Sequence, residues 1–448
     1  MKNLSILLII CLLHVRVLHG QSILDQYVYA GLTKNQNIQQ QQISLEKSIY
    51  ALKEAKSLFL PAVSFQTDYF LAGGGRTVDF PAGDLLNPVY NSLNQLTNGN
   101  NFPQLENQNI LLNPNNFYDA KFRTILPVFN LEIEYNKRIR SEQVALQEVE
   151  VNLYKRELAK EIKTAYFNYM QTLEAVEIYN VALGLVNESK RINESLFRND
   201  KVNRTVLLRA DNEISKTEAS REQAIQNSNS AKAYFNFLLN RDLQDSILVD
   251  STLFTKTPLI EEDLKISLRE ELQKLFIAEN IHQHLLGQAN SFAVPKLSTF
   301  LDLGSQGFDW QFDNRSRYYF FGLSMQWDVF SFGKNKYKSK QAQLDLQINQ
   351  SLTDYVEQQL QLQLHTAINA YKASIYSYRS ANTGLNTAQK YYSDILRLYK
   401  EGQALYIELL DAQNQLVQAE LQVNISLFDT HIKAVEIERA NASFNLSL

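Results

Sequence analysis

One segment of the sequence occurs twice, and this duplication constrains the fold more than any other feature. The stretch LFRNDKVNRTVLLRADNE, which begins at Leu196, aligns without gaps on LYKEGQALYIELLDAQNQ, which begins at Leu398. Upstream, FLPAVSFQTDYFLAGG at Phe59 resembles FAVPKLSTFLDLGSQG at Phe292. The order helix, proline, strand, loop, strand, long helix, turn, helix therefore occurs twice. This order predicts an internal duplication of roughly 200 residues, with repeats at 21–257 and 258–448.

The distribution of proline leaves room for long helices. Six of the eight prolines lie within 61–127, and only Pro258 and Pro295 follow. The proline-free segments 128–257 and 296–448 are rich in Ala, Leu, Glu, Gln, Lys and Arg, which favour helices. Residues there recur at three- and four-residue spacing, as in Leu158, Ile162, Ala165, Tyr166 and Tyr169. We expect helices packed on helices at about 134–197, 204–240, 334–400 and 405–445, the first roughly 95 Å long.

Four shorter segments alternate in polarity and read as β-strands. In the first, Val63, Phe65 and Tyr69 share one face, whereas Ser64 and Gln66 share the other. One apolar, aromatic face and one polar face are typical of transmembrane β-strands; hairpins packed on a soluble core are the alternative. Four strands cannot close a barrel, so membrane strands would require an oligomer of two, three or more chains. The segments lie at about 62–72, 117–130, 296–304 and 318–330.

The two strand pairs enclose connections of different length. Residues 73–116 are rich in Gly, Pro and Asn, which predicts an irregular loop, whereas the second connection, around 304–317, is far shorter. Long loops of outer-membrane barrels face outward, so we place 73–116 at the cell surface. A disordered insertion is the alternative.

The N-terminus has the layout of a secretory signal peptide. A lysine near the start precedes a short apolar run, and polar sequence follows Gly20. We expect residues 1–20 to be removed near Gly20, which would also remove the only cysteine, Cys11. No later run is long and apolar enough for a transmembrane helix. The chain is therefore expected to be exported, to the periplasm or to the outer membrane.

Catalytic and nucleic-acid patterns are absent from the sequence. The net charge is −4, with basic and acidic residues interspersed. No phosphate-binding glycine loop and no serine-elbow motif occurs. His282 and His284 are two residues apart and would point to different faces of a helix, while His365 and His431 stand alone. We predict no enzyme activity, no cofactor, no metal site and no nucleic-acid partner.

One acidic pair remains to be explained. Glu408 and Asp411 are three residues apart, on one face of a predicted helix that follows a glycine turn. They could act as a general acid and base, which would require a pocket. They could be solvated residues near a helix N-terminus, where the helix dipole favours acids. In a ring of helices they would form a ring of carboxylates that selects cargo by charge.

Together, the signal peptide, the two repeats, the strand pairs and the stretch YKEGQALYIELLDAQNQLVQAE resemble the TolC family of outer membrane efflux proteins. The resemblance covers essentially the whole mature chain. It implies a mainly α fold, with a long α-helical coiled-coil barrel and four β-strands per chain that contribute to a trimeric 12-stranded barrel. The implied location is the outer membrane, with the helices extending into the periplasm.

The resemblance also assigns roles to residues near the two turns. The acidic pair that lines the constricted entrance in the family falls on Glu408 and Asp411, and a tip tyrosine of the closed state falls on Tyr399. The basic residue expected two positions after the turn glycine is Ala404 here, so the closing network departs from the family pattern. The implied adaptor-contacting tips are Asn199, Asp200, Lys201, Glu401, Gly402 and Gln403.

The implied function is that of a passive exit duct in a tripartite efflux or type I secretion system. Cargo would arrive from an inner-membrane pump through a periplasmic adaptor protein and leave the cell without covalent change. The alternative is a periplasmic coiled-coil scaffold or adaptor without a pore. Nothing in the sequence identifies the cargo, the adaptor or the pump.

Overall fold

The computed structural model describes residues 22–258, 260 and 265–446. The predicted signal peptide lies outside the described residues. The described chain forms two compact units. The helical unit comprises the described parts of Met1–Ile49, Ser141–Gln283 and Leu344–Leu448, and the strand unit comprises Tyr50–Arg140 and His284–Gln343. Each unit contains residues of both predicted repeats, so the units do not correspond to the repeats. The division of the sequence into two repeats therefore stays a prediction.

Long helices dominate the described residues. The longest, α4, has 68 residues, which corresponds to about 100 Å at 1.5 Å per residue. No helix among the described residues has both the length and the apolar character needed to cross a membrane. The helices are α1 (Ile23–Lys34), α2 (Gln36–Ser57), α3 (Ala82–Leu96), α4 (Leu131–Arg198), α5 (Arg204–Leu238), α6 (Glu270–Asn290), α7 (Lys334–Lys400) and α8 (Tyr406–Ala440).

The end of α8 differs from the sequence expectation of about 445. Ala442 adopts a left-handed conformation, with φ 57°, and the N–H of Ser443 donates to the carbonyl of Glu438. This arrangement closes the helix at Ala440, because a residue with positive φ cannot continue a right-handed helix. Phe444 then lies against the ammonium of Lys163, 4.2 Å from the ring centroid.

Aromatic and aliphatic side chains fill the core of the helical unit. The predicted stripe from Leu158 to Tyr169 is buried, as its spacing indicated. Tyr166 meets Phe235 of α5 at a ring distance of 5.6 Å, and Phe428 of α8 belongs to the same cluster. Helices α1, α4, α5 and α8 therefore share one apolar core.

Ion pairs join three helices at one side of this core. Arg439 of α8 contacts Glu157 of α4 at 2.9 Å and Glu271 of α6 at 2.8 Å, and Arg269 also binds Glu271 at 2.6 Å. Burial disfavours the charged form of Glu271, but hydrogen bonds from Arg269 and Arg439 outweigh it and lower the pKa of Glu271 to about 2.

The strand unit contains an antiparallel sheet in the order β1-β4-β5-β6. Neighbouring strands in this sheet pair antiparallel throughout, and β1 and β6 form its two edges. A separate two-stranded sheet pairs β2 with β3. The strands are β1 (Ala62–Phe70), β2 (Thr77–Phe80), β3 (Gln108–Leu111), β4 (Phe117–Phe129), β5 (Lys296–Phe308) and β6 (Arg317–Gln326).

The register of the four-stranded sheet separates polar from apolar side chains. Arg123 lies opposite Asp302, and their side chains form an ion pair of 2.6 Å. Lys121 is on the same face, because successive side chains alternate and the two residues are two apart. Phe65 pairs with Phe122 on the other face, with ring centroids 5.1 Å apart. The two-faced pattern predicted from the sequence is therefore present.

Two strand limits differ from the sequence expectation. Strand β5 continues beyond 304 to Phe308, because Gly304 keeps its place opposite Lys121 in the ladder. Strand β6 ends at Gln326 instead of about 330, since Gln326 pairs with Lys296, the first residue of β5. Beyond this point the N–H of Val329 donates to the carbonyl of Trp327, a tight turn that breaks the extended backbone.

The expectation of an irregular loop at 73–116 was wrong. The segment contains β2, α3 and β3. Asparagine side chains make this order possible, because they bond backbone groups in place of a regular ladder. The side chain of Asn87 bonds both the N–H and the carbonyl of Leu105, at 2.8 and 2.9 Å. Asn94 bonds both backbone groups of Phe102 in the same way, at 3.0 and 2.8 Å.

Candidate functional site

Two helix ends in the helical unit have the same backbone geometry. At the end of α4, Asp200 has φ 59° and the N–H of Lys201 donates to the carbonyl of Leu196 at 2.9 Å. At the end of α7, Gly402 has φ 77° and the N–H of Gln403 donates to the carbonyl of Leu398 at 2.9 Å. Both are Schellman-type helix ends, and they occur at positions that the sequence duplication aligns. We call these turns, residues 199–203 and 401–405, the first and second tips.

The helices that follow the tips begin in different ways. In α5, the side chain of Asn203 accepts a hydrogen bond from the N–H of Thr205 and caps the helix. The matching position in α8 is Leu405, whose side chain has no acceptor. Instead, Glu408 reaches back and accepts the N–H of Leu405 at 2.7 Å. One of the two predicted site carboxylates therefore also caps its own helix.

An apolar cluster holds the two tips together. Tyr399 of α7 and Tyr406 and Leu409 of α8 are buried, with Ala210 of α5 among them. The rings of Tyr399 and Tyr406 lie 5.8 Å apart. Burial raises the pKa of each of these two tyrosines to about 12, so both hydroxyls stay protonated at physiological pH.

Two buried polar contacts cross from the first helical hairpin, α4 and α5, to the second, α7 and α8. The hydroxyl of Tyr399 donates to the side-chain oxygen of Asn193 in α4. Further along, the side-chain amide of Gln413 in α8 donates to the hydroxyl of Ser189 in α4 at 2.6 Å. Asn193, Ser189 and Gln413 are all buried. These contacts fix the second hairpin against the first at the tip.

The predicted acidic pair is exposed and lies beside this buried contact layer. Asp411 accepts a 2.7 Å hydrogen bond from Gln415, one turn further along α8. Glu408 and Asp411 share one helix face, whereas the predicted Tyr399 is buried between the hairpins. The structure therefore does not place the three residues in one exposed cluster. The predicted tip residues are all exposed: Asn199, Asp200, Lys201, Glu401, Gly402 and Gln403.

Sequence reasoning missed the polar partners inside the cluster. Gln413 stands four residues after Leu409 and three before Leu416, which are both buried, so its spacing alone marked a polar residue on a buried face. Asn193 had a weaker signal, because its neighbours in the sequence are mostly polar. Ala404, where the family pattern has a basic residue, packs against the cluster. At this tip, a tyrosine–asparagine contact fixes the hairpins together.

Residues 267–439, which include α7, the second tip and all but the last residue of α8, match the family model described as outer membrane efflux protein. The resemblance seen in the sequence is therefore confirmed. None of the curated proteins compared matches the chain in sequence.

Solved structures extend the likeness to nearly the whole chain. The outer-membrane channel OprN matches with a TM-score of 0.74 and 16% identity, over 94% of this chain and 90% of that chain. CusC matches with a TM-score of 0.77 and 12% identity, over 94% and 92%. The Campylobacter jejuni outer membrane channel CmeC matches with a TM-score of 0.74 and 16% identity, over 95% and 87%. At such identities these matches establish the fold, a TolC-like set of long helices and strands.

The two kinds of comparison agree with each other. The family model that residues 267–439 match is described as outer membrane efflux protein, and the fold of the described residues is that of solved outer membrane channels. The geometry agrees with a non-catalytic role for the acidic pair, because both carboxylates are exposed and hydrogen-bonded on their own helix.

Proposed function

We propose that this protein is a passive, homotrimeric efflux channel of the outer membrane that works with a periplasmic adaptor protein and an inner-membrane pump. The two tips would form its periplasmic entrance, where Glu408 and Asp411 select cargo by charge. The observation that carries the proposal is the asymmetry between two tips of equal backbone geometry. The first repeat has Val206 and Arg209 where the second has the two acids, and all four positions lie in the first turns of their helices. A trimer repeats both carboxylates around its axis, which favours cations at a narrow aqueous opening.

Opening of the entrance requires the second hairpin to move against the first. Such a movement breaks the Tyr399–Asn193 and Gln413–Ser189 contacts, which are buried polar bonds between the hairpins. A buried polar group that loses its partner costs about 1–3 kcal/mol, so these bonds favour the closed arrangement. An adaptor that binds better to the open arrangement would offset this cost by its differential affinity.

Exchange of the carboxylates for amides tests the proposed selectivity. In the double variant Glu408→Gln/Asp411→Asn, the amide oxygens can still accept from Leu405 and Gln415, so the start of α8 is preserved while the charge is removed. We expect the cation-over-anion permeability ratio of trimers in planar bilayers to fall severalfold toward one. An unchanged ratio would contradict the proposal. The matched control is Glu222→Gln, since Glu222 of α5 is exposed and accepts from Gln226 as Asp411 does from Gln415.

Contact of the tips with the adaptor needs its own test. A photoactivatable cross-linker on Gln403→Cys, at the exposed second tip, should give a covalent product with the periplasmic adaptor protein, identified by mass spectrometry. Thr383→Cys, on the exposed surface of α7 about five turns before the tip, is the control and should give none. Equal products at both positions, or a product only at position 383, would place the adaptor elsewhere.

A further inference from the structure

The segment between β1 and β4 carries two apolar surfaces that have no partner among the described residues. The first, which we call the α3 stripe, consists of Leu85, Leu86, Val89 and Leu96, all exposed. The second, the hairpin face, consists of Val78, Phe80, Ile110 and Leu112, which are also exposed. Exposed apolar groups clustered in this way mark interaction sites in soluble parts of proteins.

The α3 stripe is the apolar face of an amphipathic helix. Its members lie at helical spacing within an arc of about 100°, the width expected of a buried helix face. The opposite face is fully engaged within the segment, since Asp84, Asn87, Asn91 and Asn94 all bond residues 102–107. Gly83 allows this close approach, because a Cβ there would come within 2.4 Å of the carbonyl oxygen of Leu105. The polar side of α3 thus bonds residues 102–107, whereas no described residue covers its apolar side.

The hairpin face follows from the register of β2 and β3. Val78 lies opposite Ile110, so the two side chains point to the same side of the ribbon. Phe80 lies two residues after Val78, and Leu112 lies two residues after Ile110. Because side chains alternate along a strand, both share that side. The N–H of Leu112 donates to the carbonyl of Arg76, which extends the pairing by one position. The ribbon therefore presents one apolar and one more polar side.

A membrane surface is a poor occupant for these faces. Helices that lie on membranes combine an apolar face with Lys and Arg that attract lipid phosphates. Residues 73–116 contain one basic residue, Arg76, and α3 contains none. Asp79, Asp84 and Glu106 make the segment acidic, which opposes binding to an anionic surface.

A second copy of this chain suits both faces. A three-fold ring uses heterologous contacts, in which each chain offers one surface to one neighbour and a different surface to the other. The segment supplies such a pair of surfaces. It also emerges from β1, an edge strand of the sheet, and edges are where neighbouring chains join when four-stranded units close into one barrel. Six residues separate Phe70 from Thr77, so β2 starts within about 25 Å of that edge.

We propose that the α3 stripe of each chain packs against the hairpin face of the neighbouring chain, so that the three inserted segments form a closed ring at the end of the strand unit. The inference rests on the homotrimer but not on the proposed role of the tips. In this arrangement, the 73–116 segment joins neighbouring chains at a point beyond the last sheet hydrogen bond of β1.

Disulfide cross-linking of purified trimers tests this contact. Cys11 is the only cysteine of the sequence and lies in the predicted signal peptide. Any disulfide in the mature variants is therefore expected to form between introduced cysteines. We expect the double variant Val89→Cys/Ile110→Cys, after mild oxidation, to give covalent dimers and trimers on non-reducing denaturing gels. The single variants should stay monomeric on the same gels. Gln95→Cys/Ile110→Cys, with Gln95 exposed on α3 but off the stripe, is the matched control and should also stay monomeric.

Each other outcome overturns the proposal. Covalent dimers from Val89→Cys alone would mean that α3 stripes meet each other, and a cross-link within one chain would mean that the two faces are covered internally. Absence of any cross-link in the double variant would mean that the faces do not meet. Light scattering of each preparation before oxidation shows whether trimers are present, so loss of the trimer is distinguished from loss of the contact. Quenching of a fluorophore on Val89→Cys by quencher-bearing lipids would identify the bilayer as the occupant.

Discussion

Tyr399 and Asn193, which lie 206 residues apart in the sequence, join the two helical hairpins at their tips through one buried hydrogen bond. The side-chain oxygen of Asn193 accepts this bond, while its amide nitrogen has no partner among the described residues. The hydroxyl of Tyr406 is also close enough to bond the Asn193 side chain. The Tyr399 hydroxyl is therefore one of the polar groups that hold the hairpins together, beside the Gln413–Ser189 contact.

We expect Tyr399→Phe to destabilise the contact between the tips by about 1–3 kcal/mol, because the buried side-chain oxygen of Asn193 would lose the hydrogen bond that it accepts from Tyr399. The predicted result is a higher closed-state conductance of single trimers in planar bilayers, with little change in the amount of folded trimer. Tyr376→Phe, at an exposed position of α7, is the control. Equal conductance in the Tyr399 variant and the wild type would show that this bond does not hold the tip closed.

The two tips should respond in opposite ways to changes at their left-handed residues. Gly402→Ala should lower stability by about 1 kcal/mol, because φ near 77° is unfavourable for alanine even though the space around its Cβ is open. Asp200→Gly should be neutral or slightly stabilising, since glycine relieves the same conformation at the first tip. The midpoint of thermal unfolding of detergent-solubilised trimers measures both. A loss of stability in Asp200→Gly as large as that in Gly402→Ala would contradict the equivalence of the tips.

The capping role of Glu408 can be separated from its charge. Glu408→Ala removes both, and we expect it to cost about 1 kcal/mol because the first turn of α8 loses its cap. Glu408→Gln keeps an acceptor for the N–H of Leu405 and should stay close to the wild type in stability while it still alters ion selectivity. Asn203→Ala, which removes the cap of α5, is the reference for the size of the effect. Stability of Glu408→Gln as low as that of Glu408→Ala would mean that the charge itself stabilises the helix start.

How much of this site the sequence could predict depends on whether the signal is local. Gly402 and its aligned partner Asp200 mark helix ends, because the backbone conformation there is set by a single residue and the duplication gives two examples. Tyr399 was found through the family resemblance, but its partner Asn193 was not, since a contact over 206 residues leaves no local pattern.

In the fold, too, the features set by neighbouring residues were predictable and those set by distant contacts were not. The long helices and the alternating strands follow from spacing and from proline placement, which act over a few residues. Helix α3 does not, because Pro88 lies inside it and asparagine is a poor helix former. Its order comes from the side chains of Asn87 and Asn94, which bond a segment 8 to 18 residues away. Composition alone therefore suggested a loop where tertiary contacts produce a helix.

Acid should weaken the helical unit through Glu271. The pKa of Glu271 is lowered to about 2 in the folded chain, against about 4.5 when unfolded, because Arg269 and Arg439 bind the carboxylate. A carboxylate with a lowered pKa stabilises the fold fully above its unfolded pKa, and this contribution is lost as the pH falls from about 4.5 toward 2. We expect Glu271→Gln to lose on the order of 3 kcal/mol near pH 7, because two largely buried guanidinium groups lose their shared partner.

The difference between Glu271→Gln and the wild type should shrink as the pH approaches 2, where about half of the wild-type Glu271 carboxylates are protonated. Thermal unfolding of the trimer at a series of pH values measures it, with Glu436→Gln as the control, since Glu436 pairs with Lys433 in a more exposed ion pair on α8 and should cost under about 1 kcal/mol. A constant difference from pH 7 to pH 2 would show that Glu271 acts through packing, because a loss of packing does not depend on protonation.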